Sequence, residues 1–117
     1  MPSSTRYDPG TVVAVRIRFS DGVGIKRRPA VVVSHPQYHV SRADAVVIAL
    51  TTQMHTDYYG DCDIIDWRQA GLPAASRSKG VIQTIERRAI EKAYGALSQA
   101  DLARLQESIR EILWLGP

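Results

Sequence analysis

The sequence predicts a mainly β chain: a small closed or half-closed barrel finished by one C-terminal helix. Three observations predict it. Short apolar runs rich in Val and Ile recur between clusters of Gly, Pro, Asp and Ser, as closely spaced strands require. Residues 45–50, Ala-Val-Val-Ile-Ala-Leu, are apolar throughout, which marks a central strand buried on both sides. After Ser98, Leu102, Leu105, Ile109, Ile112 and Leu113 recur at the spacing of one helix face, laid on the barrel.

Pro9-Gly10 turns the chain into the first strand, residues 11–19. There Val13, Val15, Ile17 and Phe19 share one face and Arg16 and Arg18 the other, so the strand reads as half-buried with a basic outer face. Ser20, Asp21, Gly22 and Gly24 are turn formers and make a loop. Lys26, Arg27 and Arg28 continue that loop as three adjacent cations, and Pro29 leads into a second strand at 30–34. Proline biases the preceding residue to extended geometry, so Arg28 is held more firmly than the loop tip. Residues 35–42 read as a polar loop, 54–60 as another, and 61–65 as a weak fourth strand. Residues 66–73 read as one helical turn stopped by Gly71 and Pro73. A further strand lies within 76–84, and 86–94 read as a short helix ended by Gly95. Ser98 caps the last helix, with Asp101 three residues on as the shorter-armed partner of a capping box.

The length suits one domain over residues 1–117, with 1–8 expected to be flexible. No apolar run is long enough to span a bilayer and the start lacks a signal-peptide core, which leads us to expect a cytoplasmic protein without a membrane partner. The lone Cys62 is expected to pack as a small hydrophobe. The net charge of +3 hides an asymmetry: residues 1–42 carry +5, 43–76 carry −4 and 77–117 carry +2. Such a polarised surface can attract a polyanion on one side without binding it everywhere. Metal-ligand spacing, a P-loop, a dinucleotide glycine fingerprint and a nucleophile elbow are all absent, so neither metal nor cofactor is expected.

The chemistry then falls to cations, hydroxyls and imidazoles at strand ends. The planar Arg28 fork, fixed by Pro29, can bind two phosphate oxygens at once. Thr51 and Thr52 end the central strand, where a hydroxyl can donate to a phosphate. His35, His39 and His55 fall in expected loops and could move a proton near neutral pH. Tyr38, Tyr58 and Tyr59 could stack on an unpaired base, and Arg77 and Lys79 could add a second basic edge. Each has an ordinary structural reading when taken singly: a solvated turn, a plain strand end, a surface imidazole, a packed ring.

Together these segments resemble the MazF/PemK toxin family of bacterial toxin–antitoxin systems. The likeness rests on Pro9-Gly10 before a β run and S-D-G-V-G-I-K-R-R-P-A-V-V-V-S at 20–34. It continues through Tyr38, I-A-L-T-T-Q at 48–53, D-W-R-Q-A-G-L-P-A-A-S at 66–76, T-I-E-R at 84–87 and G-A-L-S-Q-A-D-L at 95–102. The resemblance implies an SH3-like barrel with a C-terminal helix (the Kid/CcdB-like toxin fold), a homodimer and a cognate antitoxin. It also implies a metal-independent, sequence-specific endoribonuclease. Such an enzyme cuts single-stranded RNA by 2′-hydroxyl attack, leaving 2′,3′-cyclic phosphate and 5′-hydroxyl ends. By motif position the family's essential Arg falls on Arg28 and its strand-end Thr on Thr51. Lys26, Arg27, Tyr38, Thr52, Gln53, Arg77 and Lys79 are the expected RNA contacts. Thr11 stands where members often have Asp, and residues 76–80 lack the Asp of an Arg-x-Asp pair. His39 replaces the usual Asn and becomes a candidate for proton transfer. Two other classes share the scaffold: gyrase-poisoning toxins, against which the R-R-P and L-T-T segments argue, and a non-catalytic RNA- or protein-binding module.

Overall fold

The computed structural model describes residues 7–18 and 25–116; the expected loop at 20–24, Phe19 and residues 1–6 lie outside them. In chain order the elements are β1 (Thr11–Arg18), β2 (Ile25–Val32), α1 (Pro36–Ser41), β3 (Asp44–Thr51), β4 (Cys62–Ile64), β5 (Ser76–Glu86), a 3-10 turn (Arg87–Ala89), β6 (Ile90–Ala96) and α2 (Gln99–Ile112). The strands form one antiparallel sheet in the order β4-β5-β3-β2-β1-β6, curled into a half-barrel with α2 on one side. The half-closed form of the expected barrel is the one observed.

Alternation along β1, β2 and β3 sends side chains to two cores. Val12, Val31, Ile48 and Leu50 pack beneath α2 with Leu105, Leu97, Cys62 and Ile64. Val13, Val15, Ala30, Val32, Val47 and Ala49 pack on the opposite face with Ile90 and Tyr7. Both faces are filled there, so Val12, Val13, Ala14 and Val15 are all fully buried. The basic outer face expected of β1 begins only at Arg16, past the edge of the core.

Three expectations are corrected. The basic triplet is not in a loop: Lys26, Arg27 and Arg28 lie in β2, opposite Ile17, Arg16 and Val15 of β1. The ladder outruns the core, and beyond it long cationic side chains can reach water from a strand. Residues 35–42 are not a loop, since they contain α1. His35 caps it by accepting the Gln37 N–H at 3.0 Å, and Pro36 occupies the first turn. Residues 86–94 are not a helix but the last residue of β5, the 3-10 turn and most of β6. The open edge of β1 offers backbone partners, and two register shifts let β6 pair with it despite helix-favouring Glu, Lys and Ala.

The expected turn after β4 is observed, closed by Ala70 N–H to the Asp66 carbonyl at 3.1 Å and by Gly71 N–H to that of Arg68 at 3.0 Å. Gly71 has φ +84, and a Cβ there would lie 2.4 Å from the Tyr94 carbonyl oxygen. The turn thus abuts β6 backbone to backbone. Gly71→Ala combines a left-handed Cβ penalty with overpacking against fixed backbone, an expected cost of about 2 kcal/mol. It should appear as a lower urea midpoint with an unchanged slope.

Candidate functional site

Lys26, Arg28 and Ala30 alternate onto one face of β2, and Ala49 and Thr51 onto the same face of β3, because Ala30 pairs with Ala49. Continuing that register sets Arg28 across from Thr51. The β2–β3 ladder stops at Ala30, and Pro29 has no N–H to extend it. The strands part at this point, and a cleft of about 320 Å³ occupies the gap. Its polar wall is Lys26, Arg28, Thr51, Thr52, Gln53 and Lys79; Pro29, Ala49, Leu50 and Val81 complete it. Lys79 and Val81 reach the cleft from an irregularity in β5, where the register shifts between Ile48 and Leu50 of β3.

The described lining holds three cations and no acid, so its field favours an anion. Thr51 Oγ1 accepts the Gln53 N–H at 3.1 Å. That bond orients the hydroxyl and leaves its own hydrogen to donate.

The other expected contacts lie elsewhere. Arg27 is on the opposite face of β2, where its Nε meets Glu91 Oε1 at 3.0 Å while Arg16 Nε meets Oε2 at 3.0 Å. Tyr38 sits in α1 with the Arg42 guanidinium 5.3 Å from its ring centroid, and lines a separate apolar hollow between α1 and α2. Arg77, opposite Thr51 on β5, turns toward β4: Nε donates to Asp63 Oδ1 and Nη1 to Asp57 Oδ1, both at 2.6 Å. These two carboxylates raise the Arg77 pKa further above its ordinary value. Neither Asp57 nor Asp63 was singled out in the sequence, although Asp63 faces Arg77 directly across the β4–β5 ladder.

His39 is buried in α1 at 5% exposure, away from the cleft. Ser34 Oγ accepts the Val46 N–H at 3.0 Å, so we assign its hydrogen to His39 Nε2, 2.5 Å away. Burial is the main reason that His39 is held below the usual histidine pKa; Arg87 and His35 add to this and Asp8 opposes it. The unfolded chain therefore binds this proton more readily than the folded one. Stability from neutral His39 is complete above about pH 6.5 and is lost as pH falls toward the folded value, at up to about 1.4 kcal/mol per pH unit. Urea titrations between pH 7.5 and 5 should show this acid-side loss in the wild type and less of it in His39→Asn.

Residues 8–113 match the family described as the PemK-like, MazF-like toxin of type II toxin–antitoxin systems. The chain belongs to this family. No curated protein sequence matches it. Among solved structures it is similar to a mycobacterial endoribonuclease in complex with its cognate antitoxin, at TM-score 0.76 and 18% identity over 94% of this chain and 97% of that one. It is similar to the Mycobacterium tuberculosis toxin MazF-mt6, at TM-score 0.75 and 18% identity over 92% and 99%. A third likeness is to a MazE–MazF structure from Deinococcus radiodurans, at TM-score 0.69 and 18% identity over 91% and 93%. These likenesses concern the fold; within it, Arg28 and Thr51 both line the cleft.

Proposed function

We propose that this MazF/PemK-family toxin is an endoribonuclease that cleaves single-stranded RNA, mRNA included, at the Arg28–Thr51 cleft without a metal ion. The observation that carries the reading is the meeting of Arg28 and Thr51 where β2 and β3 part, in a lining with three cations and no described acid. The likeness to solved structures described as endoribonucleases supports it.

In the proposed step the ribose 2′-oxygen attacks the adjacent phosphorus as its proton departs. The bond to the 5′-oxygen breaks, and that oxygen takes up a proton. The products are a 2′,3′-cyclic phosphate and a 5′-hydroxyl. The crowded phosphorane carries extra negative charge, which the Arg28 fork meets through two oxygens while the Thr51 hydroxyl donates to a third position. Lys26 and Lys79 attract neighbouring phosphates, and Thr52 and Gln53 offer hydrogen bonds beside them. His39 has no part in this scheme, because it is buried in α1 with its Nε2 engaged by Ser34, which precedes the helix.

We also propose a homodimer silenced by a cognate antitoxin. Leu113, Trp114 and Leu115, exposed past the end of α2, supply apolar surface for a partner chain to cover. No helix among the described residues is long and apolar enough to cross a membrane. Expression in a bacterial host without the antitoxin tests the reading. Growth should stop while mRNA fragments with 5′-hydroxyl ends accumulate. Arrest with intact mRNA and failing DNA supercoiling would instead support a gyrase poison.

A further inference from the structure

Arg77 stands beside the cleft without lining it. Thr51 of β3, Arg77 of β5 and Asp63 of β4 form one row across three strands. Paired residues in such a row project from the same face about 5 Å apart, so Arg77 neighbours the Thr51 hydroxyl. Its guanidinium nevertheless turns the other way. Besides Asp63 it grips the segment that follows Thr51, through Asp57 at 2.6 Å and the Thr56 carbonyl at 3.2 Å. Its side chain is only 13% exposed, whereas that of Asp57 is 86% exposed.

The gripped segment begins with Thr52 and Gln53, which line the cleft. It ends in a turn where Tyr58 N–H donates to Asp61 Oδ2 at 3.0 Å and Asp61 N–H donates to the Tyr58 carbonyl at 3.1 Å. Gly60 in this turn packs against Ile112 of α2. Between Gln53 and that turn, the bonds from Arg77 to the Thr56 carbonyl and the Asp57 carboxylate tie the segment to the sheet.

Resting on the ribonuclease reading, we propose that Arg77 is a positioning residue of this site: by holding Thr56 and Asp57 to β5 it fixes Thr51, Thr52 and Gln53 for RNA, and it does not itself contact a phosphate. A guanidinium spent on two carboxylates has little charge left for a third anion. A strand end gripped from behind keeps its hydroxyls at one separation from Arg28, which matters because small misplacements of catalytic groups cost large factors in rate.

The test uses Asp57→Ala, which removes the acceptor oxygen and is chosen because the residue is exposed and remote from the core, together with Arg77→Gln. Three quantities are read: kcat at saturating RNA, the salt dependence of binding to an uncleavable 2′-deoxy analogue, and amide exchange over residues 53–57. Both variants should exchange faster there and lose about tenfold in kcat. Their salt slopes should match the wild type, since no phosphate contact is removed. An Asp57→Ala enzyme with undiminished kcat would overturn the proposal, because Arg77 would then act without its clamp. So would a salt slope lowered by about one in Arg77→Gln, the mark of a lost phosphate contact. If the wild type cleaves no RNA, the ribonuclease reading fails and takes this proposal with it. A cleaving wild type beside an unimpaired Asp57→Ala overturns the proposal alone.

Discussion

Replacing Arg28 with alanine is expected to slow RNA cleavage by about 10²–10³-fold, the usual loss when a donor aimed at developing charge is removed. Arg27→Ala, one residue away, should stay within about threefold, the scale of a surface ion pair lost elsewhere. The contrast follows from strand alternation. Arg28 lines the cleft, while Arg27 shares Glu91 with Arg16 on the other face. Two adjacent arginines on one loop would both feel the RNA, and their variants would resemble each other. Single-turnover rates for the two variants, with melting curves to show that both fold, decide between these pictures.

Asp101→Ala carries the largest expected effect on stability, about 3 kcal/mol. Asp101 is 1% exposed, at the third position of α2. Its oxygens accept the Ile65 N–H at 3.2 Å and the Asp66 N–H at 2.8 Å, and Arg104 closes the set. Burial opposes ionisation, but the Asp66 amide, Arg104 and the Ile65 amide together outweigh it and hold Asp101 below the ordinary carboxylate range. The contribution is therefore present above about pH 4 and lost only as pH falls through the lower folded value. Alanine leaves two amides and a guanidinium without their acceptor, and the amides lie where β4 passes into the Asp66 turn. Calorimetry should show a melting temperature lower by roughly 10–20 °C. Asp101→Asn, which keeps one acceptor oxygen, should lose less than half of that.

Asp101 also shows where the sequence stops being informative. Ser98 and Asp101 have capping-box spacing, and half of the box is there: Ser98 Oγ accepts the Asp101 N–H at 3.1 Å. The carboxylate instead reaches residues 35 and 36 positions away in the chain. Local signals named the cap, but the choice of partner is tertiary. The same limit hid the engagements of Arg77 with Asp57 and of His39 with Ser34, since imidazole and guanidinium spacing say nothing about what the fold packs against them. The strand at 45–50 was legible because burial on both faces leaves a continuous apolar run. β6 was not, because an edge strand with Ile90 as its one buried residue resembles a polar helix face. Arg28 and Thr51 were candidates from Pro29 and the strand end, and the ordered family motifs set them apart from the other candidates. Their shared face depends on β2 beginning at Ile25, and the cationic triplet concealed that strand start.

The most direct measurement is cleavage of a long single-stranded RNA by the purified, antitoxin-free protein in excess EDTA, with both new ends mapped chemically. The account predicts discrete cuts that leave 2′,3′-cyclic phosphates and 5′-hydroxyls, present in the wild type and lost in Arg28→Ala. Intact RNA after incubation with a folded protein, or cuts that return only with added divalent metal, would contradict it.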